Sequence, residues 1–109
     1  MNQEGELVKL VVFVPQTHAD RVREAIGNSG AGKIGNYSHC SFSVKGEGRY
    51  KPLEGSHPAI GKVGGLVLVE EERIETVCEK DKLEAVMRAV REVHPYEEVA
   101  FDVYPMLSF

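Results

Sequence analysis

Histidines, cysteines and a glycine-rich segment are the residues of this sequence with the most obvious chemical potential. Residues 30–42 combine three glycines with several polar side chains, and the segment contains His39 and Cys40 next to each other. Imidazole and thiolate can bind a metal, and the backbone amides of a glycine-rich turn can bind an anion. A second polar segment, residues 94–98, holds a histidine and two carboxylates.

The glycine spacing from Gly30 to Gly35 matches the dinucleotide pattern G-x-G-x-x-G. In that pattern the glycines follow a strand and open a helix, so that the pyrophosphate meets a helix N-terminus. Here they follow a predicted helix and lead into a predicted strand, which argues against a dinucleotide site. Two interpretations stay open: an anion-binding turn assisted by Lys33, or glycines that only supply positive φ angles.

Two sets of candidate site residues come from these segments. The ligand-binding candidates are Gly32, Lys33, Gly35, Asn36, Tyr37, His39 and Tyr96. The metal-binding candidates are His39, Cys40, His94, Glu97 and Glu98. No spacing among the metal candidates is a known metal motif, and adjacent residues of a regular strand point to opposite faces. The cofactor therefore stays open, with a divalent metal as the candidate.

Catalytic residues cannot be identified from spacing. Glu97 and Glu98 are adjacent, so a regular strand would place them on opposite faces rather than as an acid and base pair. No Ser-His-Asp or Cys-His set can be read from spacing alone. We leave catalysis open and favour a binding function.

Six regular elements are predicted to position these residues. Strands are expected at 7–14, 37–48, 66–77 and 99–104. The first helix is expected to begin with a capping box at Thr17–Asp20 and to end by Gly30, and the second is expected at 82–93. The second strand is expected to be half-buried, with a bulge or bend near Gly46 and Gly48. Residues 49–65 are rich in glycine and proline and predict a long ordered loop of the kind that often carries function.

The order strand, helix, strand, strand, helix, strand predicts an α+β, ferredoxin-like split βαβ fold, as one domain over residues 1–109. Its antiparallel sheet would carry both helices on one face. The first strand is apolar on both sides, so its second face also needs a cover. We expect a homo-oligomer to provide it, because an exposed apolar sheet face favours aggregation.

Composition restricts the partners. With 13 basic and 17 acidic residues the net charge is −4, which argues against general binding to a nucleic-acid backbone. We find no apolar run long enough for a membrane helix. The two cysteines lie far apart and are expected to be reduced, which fits a cytoplasmic protein.

Four motifs together resemble a known family. Residues 14–23, 30–42, 46–52 with Gly55, and 94–102 resemble the YqfO-type inserted domain of the Nif-three-like (NGG-one-interacting-factor-three) proteins. In full-length members this domain lies between two larger halves that carry a dinuclear metal site. Those halves are absent from this sequence, so their metal chemistry is not carried over. The resemblance implies a stand-alone version of the insert, with a fold similar to CutA and PII proteins, both of which are trimers.

The resemblance also suggests two kinds of function. Residues 94–97, His-Pro-Tyr-Glu, resemble a stretch of CutA, a protein linked to divalent-cation tolerance. PII proteins bind small ligands between subunits beside a long loop, and residues 49–65 occupy the comparable place without matching the PII nucleotide-contacting sequence. We therefore expect a non-enzymatic homotrimeric module that senses a small ligand or binds a protein. The alternative is a divalent-metal-binding protein of cation tolerance or homeostasis.

Overall fold

The computed structural model describes residues 6–107, and its strands and helices follow one another in the predicted order. Short 3₁₀ turns at Gln16–His18 and Lys80–Lys82 precede the two helices. The other elements are β1 (Leu7–Pro15), α1 (Ala19–Asn28), β2 (Phe42–Tyr50), β3 (Val67–Glu79), α2 (Leu83–Val93) and β4 (Phe101–Pro105). The strands form one antiparallel sheet in the order β2-β3-β1-β4. The predicted α+β, ferredoxin-like fold is confirmed.

Both helices pack on one face of this sheet. Alternate residues of β1, from Val8 to Val14, meet the apolar stripes of α1 and α2 in a single core. The apolar stripe of α2 consists of Val86, Met87 and Val90, which are buried, and of Leu83 and Val93, which pack at its edge. We call the sheet face opposite the helices the outer face.

The outer face of β1 is covered partly by the chain itself. Val11 is fully buried, and its register partners are Glu75 and Asp102 on the neighbouring strands. The guanidinium of Arg73 lies over the ring of Phe13, 5.7 Å from its centroid. The apolar outer side of β1 therefore needs less cover from another copy than its sequence suggests.

The second strand differs from its prediction in start, exposure and regularity. It begins at Phe42 rather than residue 37, because the chain first turns back on itself in a bridge between Ile34 and Tyr37. It is an edge strand, so Phe42 and Val44 are 66% and 48% exposed instead of half-buried. Its pairing with β3 runs without a break, and no bulge occurs at its glycines.

The predicted capping box at the start of α1 is also wrong. Thr17 contacts the Nδ1 atom of His18 rather than the helix backbone, and Asp20 pairs with Arg23 one turn later. The chain enters α1 through the 3₁₀ turn after Pro15, and no side chain forms a capping hydrogen bond at the start of this turn or of α1. Among residues 6–107, no helix is long and apolar enough to cross a membrane.

The hairpin of β2 and β3 extends beyond the rest of the sheet. The last residue of β1, Pro15, pairs with Glu71, whereas β3 continues to pair with β2 as far as Val67. Residues 51–66, between these two strands, contain no helix or strand. At this end of the outer face, the two long strands and the irregular loop can therefore enclose a pocket.

Candidate functional site

A pocket of about 460 Å³ lies at the hairpin end of the outer face. Its floor comes from β1, β2 and β3, and its walls from the loop after β2 and the segment before β4. Aromatic and apolar side chains dominate the lining, with Phe13, Tyr50 and Leu53 among them. Such a concave, mostly apolar cavity with a few polar groups is the usual form of a small-molecule site.

Tyr96 joins the polar and aromatic parts of this pocket. Its hydroxyl donates a hydrogen bond to Oε2 of Glu71 at 3.1 Å. Its ring meets Tyr50 edge-on, with 5.5 Å between the centroids. Burial, helped by Tyr50 and Glu71, raises the pKa of Tyr96 far above its ordinary value of 10.0. The hydroxyl therefore stays protonated and remains a hydrogen-bond donor.

His94 anchors the segment that carries Tyr96. Its Nε2 lies 2.8 Å from the carbonyl oxygen of Phe13, and its Nδ1 lies 3.2 Å from the backbone nitrogen of Tyr96. These contacts require a neutral ring that donates from Nε2 and accepts at Nδ1. Burial lowers the pKa of His94, which favours the same neutral form. Both ring nitrogens are thus already used by the fold.

Two hydrogen bonds hold the long loop against the pocket. The Tyr50 hydroxyl donates to the carbonyl oxygen of Ile60 at 2.8 Å. The backbone amide of His57 donates to Oε1 of Glu97 at 2.7 Å. The loop is therefore attached both to β2 and to the segment before β4, and it closes one side of the cavity.

The glycine-rich segment is anchored at another place, near the C-terminal end of β3. The Gly32 amide donates to the Val77 carbonyl at 2.7 Å, and the Cys40 amide donates to the Gly32 carbonyl at 2.9 Å. The Thr76 hydroxyl donates to the Cys40 carbonyl at 2.7 Å. Gly32 has φ +79°, and a Cβ added there would lie 2.6 Å from the Cys40 oxygen. This glycine is required by the turn and by a close backbone approach.

His39 closes the same segment onto α1. Its Nε2 lies 2.9 Å from Oδ1 of Asn28, and its Nδ1 lies 2.8 Å from the Ser38 hydroxyl. Its φ of +60° is uncommon for a residue with a side chain. The ring occupies the space beside Gly27, where an added Cβ would lie 2.0 Å from Cδ2. Like His94, this imidazole has a neighbour at each nitrogen.

The structure separates the predicted site residues into two groups. His94, Tyr96, Glu97 and Glu98 lie at or beside the pocket. Gly32, Lys33, Gly35, Asn36, Tyr37, His39 and Cys40 belong to the glycine-rich segment. Val77, which holds Gly32, and Glu71, which lines the pocket, are six residues apart on β3, about 20 Å at the usual strand rise.

One copy of the chain therefore does not bring His39 and Cys40 together with His94, Glu97 and Glu98. Within residues 6–107, no three histidine, cysteine or acidic side chains are grouped in a way that could hold a metal ion. A metal site built from both groups would need side chains from two copies.

Sequence reasoning missed Phe13, Tyr50 and Glu71, which complete the pocket. Their sequence positions are far apart, and only the strand register brings them together. The sequence feature that could have indicated the pocket is the pair Gly46 and Gly48. Glycines inside a strand often mark a place where another group approaches the backbone closely.

Sequence comparison finds relatives that are much longer than this chain. It is 56% identical over 102 residues to a protein of Halalkalibacterium halodurans named GTP cyclohydrolase 1 type 2 homolog, covering 94% of this chain and 27% of that protein. The homolog of the same name from Bacillus subtilis is 55% identical over 100 residues, covering 92% and 27%. The chain thus spans about a quarter of the length of these relatives. No protein-family model matches it.

Solved structures support both parts of the expected resemblance. A Bacillus cereus protein related to NIF3 superimposes with a TM-score of 0.80 at 52% identity, over 93% of this chain and 26% of that one. CutA1 from Oryza sativa gives a TM-score of 0.71 at 17% identity, over 99% and 86%. The CutA likeness shows the fold alone. The resemblance to the Nif-three-like proteins and the CutA-like fold are confirmed.

Proposed function

We propose that this chain, which is related to the Nif-three-like proteins over about a quarter of their length, is a non-enzymatic module that senses a small ligand. The observation that carries this proposal is the pocket between Tyr50, Glu71 and Tyr96. The name of the relatives refers to GTP cyclohydrolase 1 type 2. In our proposal, this part of such a protein contributes ligand binding rather than the reaction.

The geometry of the pocket supports binding as its task. The protonated Tyr96 hydroxyl and the Glu71 carboxylate form a fixed polar pair on an otherwise apolar wall. Small-molecule sites use a few such groups to orient a ligand whose body fills the apolar space. The attached loop also gives a route for a response. A ligand that touches it can shift the bonds made by His57 and Tyr50.

We further propose that the module works as a homotrimer. Phe42, Val44 and Tyr104 lie on the outer face by register and are at least 47% exposed. Exposed apolar side chains concentrated on one sheet face mark an interaction surface. A protein partner on this face is the other occupant we consider.

The divalent-metal-binding alternative has weaker support from the geometry. His39 and His94 each have neighbours at both ring nitrogens, so metal binding would have to replace existing contacts. A metal would also need ligands from two copies, as described above. We therefore rank this alternative second and include metals in the screen that tests the proposal.

A thermal-shift screen of amines, anions, nucleotides and divalent metals tests the ligand-sensing function. We expect at least one compound to raise the melting temperature of the wild type and to lose this effect on Tyr96→Ala. The matched control is Tyr37→Ala, which removes a tyrosine 75% exposed on the glycine-rich segment. It should keep the response.

Two outcomes would overturn the assignment. If no compound stabilises the wild type, the ligand-sensing function is wrong. If every stabiliser fails on Tyr37→Ala but not on Tyr96→Ala, the ligand site lies on the glycine-rich segment instead of the pocket.

A further inference from the structure

We propose that the pocket takes a ligand with an aromatic or apolar body and a cationic amine or amidine group, which binds the Glu71 carboxylate. This inference rests on the proposed function and adds the chemical class of the ligand. It follows from how the sheet positions Glu71, from the hydrogen bonds this carboxylate lacks, and from the charges around the cavity.

The sheet makes room for the Glu71 carboxylate to lie flat on the pocket floor. Glu71 pairs with Gly46 of β2, and Gly48 is the next residue of β2 on the same face. A Cβ at Gly48 would lie 2.3 Å from Oε1 of Glu71. The carboxylate thus occupies space that any larger residue at this position would take. Tyr96 then fixes its direction through the bond to Oε2.

Glu71 has unused hydrogen-bonding capacity in this position. An ionised carboxylate can accept about four hydrogen bonds. Within residues 6–107, Tyr96 is the hydrogen-bond donor found for it, and no ion pair involves it. Arg49, which also lines the pocket, pairs with Glu47 instead. A partly buried carboxylate with one donor is stabilised by an N–H group that a ligand can bring.

The surroundings favour a cation over an anion. Glu97 and Glu98 line the same pocket as Glu71, so three carboxylates face two basic residues, Arg49 and Lys51. An anionic ligand would lie against Glu71 and be repelled, whereas an amine would form a charge-assisted hydrogen bond. The rings of Tyr50 and Tyr96 can pack against an aromatic body, and a ring face also attracts a cation.

Three aromatic probes of similar size and one aliphatic amine separate these contributions. Phenethylamine, phenethyl alcohol and 3-phenylpropionate carry the same ring with a cationic, neutral or anionic end, and butylamine carries the charge without the ring. Binding is followed by amide chemical shifts in ¹H–¹⁵N spectra of the intact protein. We expect phenethylamine to shift Gly48, Tyr50 and Tyr96. We expect it to bind at least about tenfold more tightly than 3-phenylpropionate.

Variants assign the preference to one carboxylate. Glu71→Gln keeps the size of the side chain and should bring the affinities for phenethylamine and 3-phenylpropionate to within about a factor of three. Glu75→Gln is the control, since Glu75 lies on the same strand and the same face but outside the pocket lining. It should keep the tenfold preference. The ¹H–¹⁵N spectra of the free variants show whether each one is folded.

The outcomes separate this inference from the proposed function. The inference is overturned if 3-phenylpropionate or the alcohol binds as tightly as the amine. It is equally overturned if the amine preference survives in Glu71→Gln or if none of the probes binds. In each of these cases the thermal-shift screen with Tyr96→Ala still decides whether the pocket binds a ligand of another class.

Discussion

Acid should destabilise this protein through His94, the buried histidine beneath the pocket. His94 is 7% exposed, and burial lowers the pKa of its ring below the ordinary value of 6.5. The bond to the Phe13 carbonyl and the nearby Glu71 act in the opposite direction but are outweighed. Because the unfolded chain binds a proton more readily than the folded one, stability rises with pH in this range.

The size of the effect follows from proton linkage. The stabilising contribution is fully present above pH 6.5 and is lost as the pH falls from 6.5 toward the lower pKa of the folded state. The slope cannot exceed about 1.4 kcal/mol per pH unit for one group. Between pH 7.5 and 5.5 the upper limit for His94 is therefore about 1.4 kcal/mol in the free energy of unfolding.

Urea unfolding followed by circular dichroism, at fixed protein concentration and at several pH values, measures this loss. His94→Gln keeps a neutral donor for the Phe13 carbonyl and removes the titration, so its stability should change less between pH 7.5 and 5.5. His57→Gln is the control. The ring of His57 is exposed, and its contact to Glu97 comes from the backbone amide. It should retain the pH dependence of the wild type.

The reasoning fails if the wild type and His94→Gln lose the same stability between these pH values. It also fails if the wild type becomes more stable on acidification while His94→Gln does not, because that sign requires a raised pKa for His94.

Three further predictions concern the glycine-rich segment, the outer face and metals. Gly32→Ala should lower the free energy of unfolding in urea by about 2–4 kcal/mol, because Gly32 combines a positive φ with crowding by a backbone oxygen. Gly35→Ala should lower it by only about 1–2 kcal/mol, because Gly35 has φ +58° but open space around it. Equal losses of stability in the two variants would contradict the packing argument. Phe42→Asp should turn a trimer into monomers by light scattering at micromolar concentration. Leu68→Asp, 57% exposed on the opposite sheet face, should not, and a monomeric wild type would refute the trimer. Elemental analysis after dialysis should find no stoichiometric metal, and one metal per chain or per trimer would restore the metal-binding alternative.

The order of elements could be predicted because its signals are local. Alternate apolar residues of β1 and the three- and four-residue spacing in α2 each lie within one segment and specify which side faces the core. The start of β2 could not be predicted in this way. The sequence near Tyr37 alternates like a strand, but the turn at Gly35 and the positive φ at His39 keep residues 37–41 out of the sheet.

The pocket depends on register, which sequence patterns do not specify. Phe13, Tyr50, Glu71 and Tyr96 are separated by at least 21 residues from one another in sequence. The pairing of three strands brings the first three together, and His94 holds Tyr96 beside them. Tyr96 was identified as a ligand-binding candidate from its polar segment. Its partner Glu71 stands in a run of three glutamates, where nothing in the sequence marks one as different.

The central claim is that the pocket between Tyr50, Glu71 and Tyr96 binds the ligand of this module. The most direct test is a crystal structure of the oligomer with the compound that stabilises it most strongly in the screen. The account predicts the compound in this pocket, with a polar group of the compound within hydrogen-bond distance of Glu71 or Tyr96. A compound bound only on the glycine-rich segment, with the pocket empty, would contradict it.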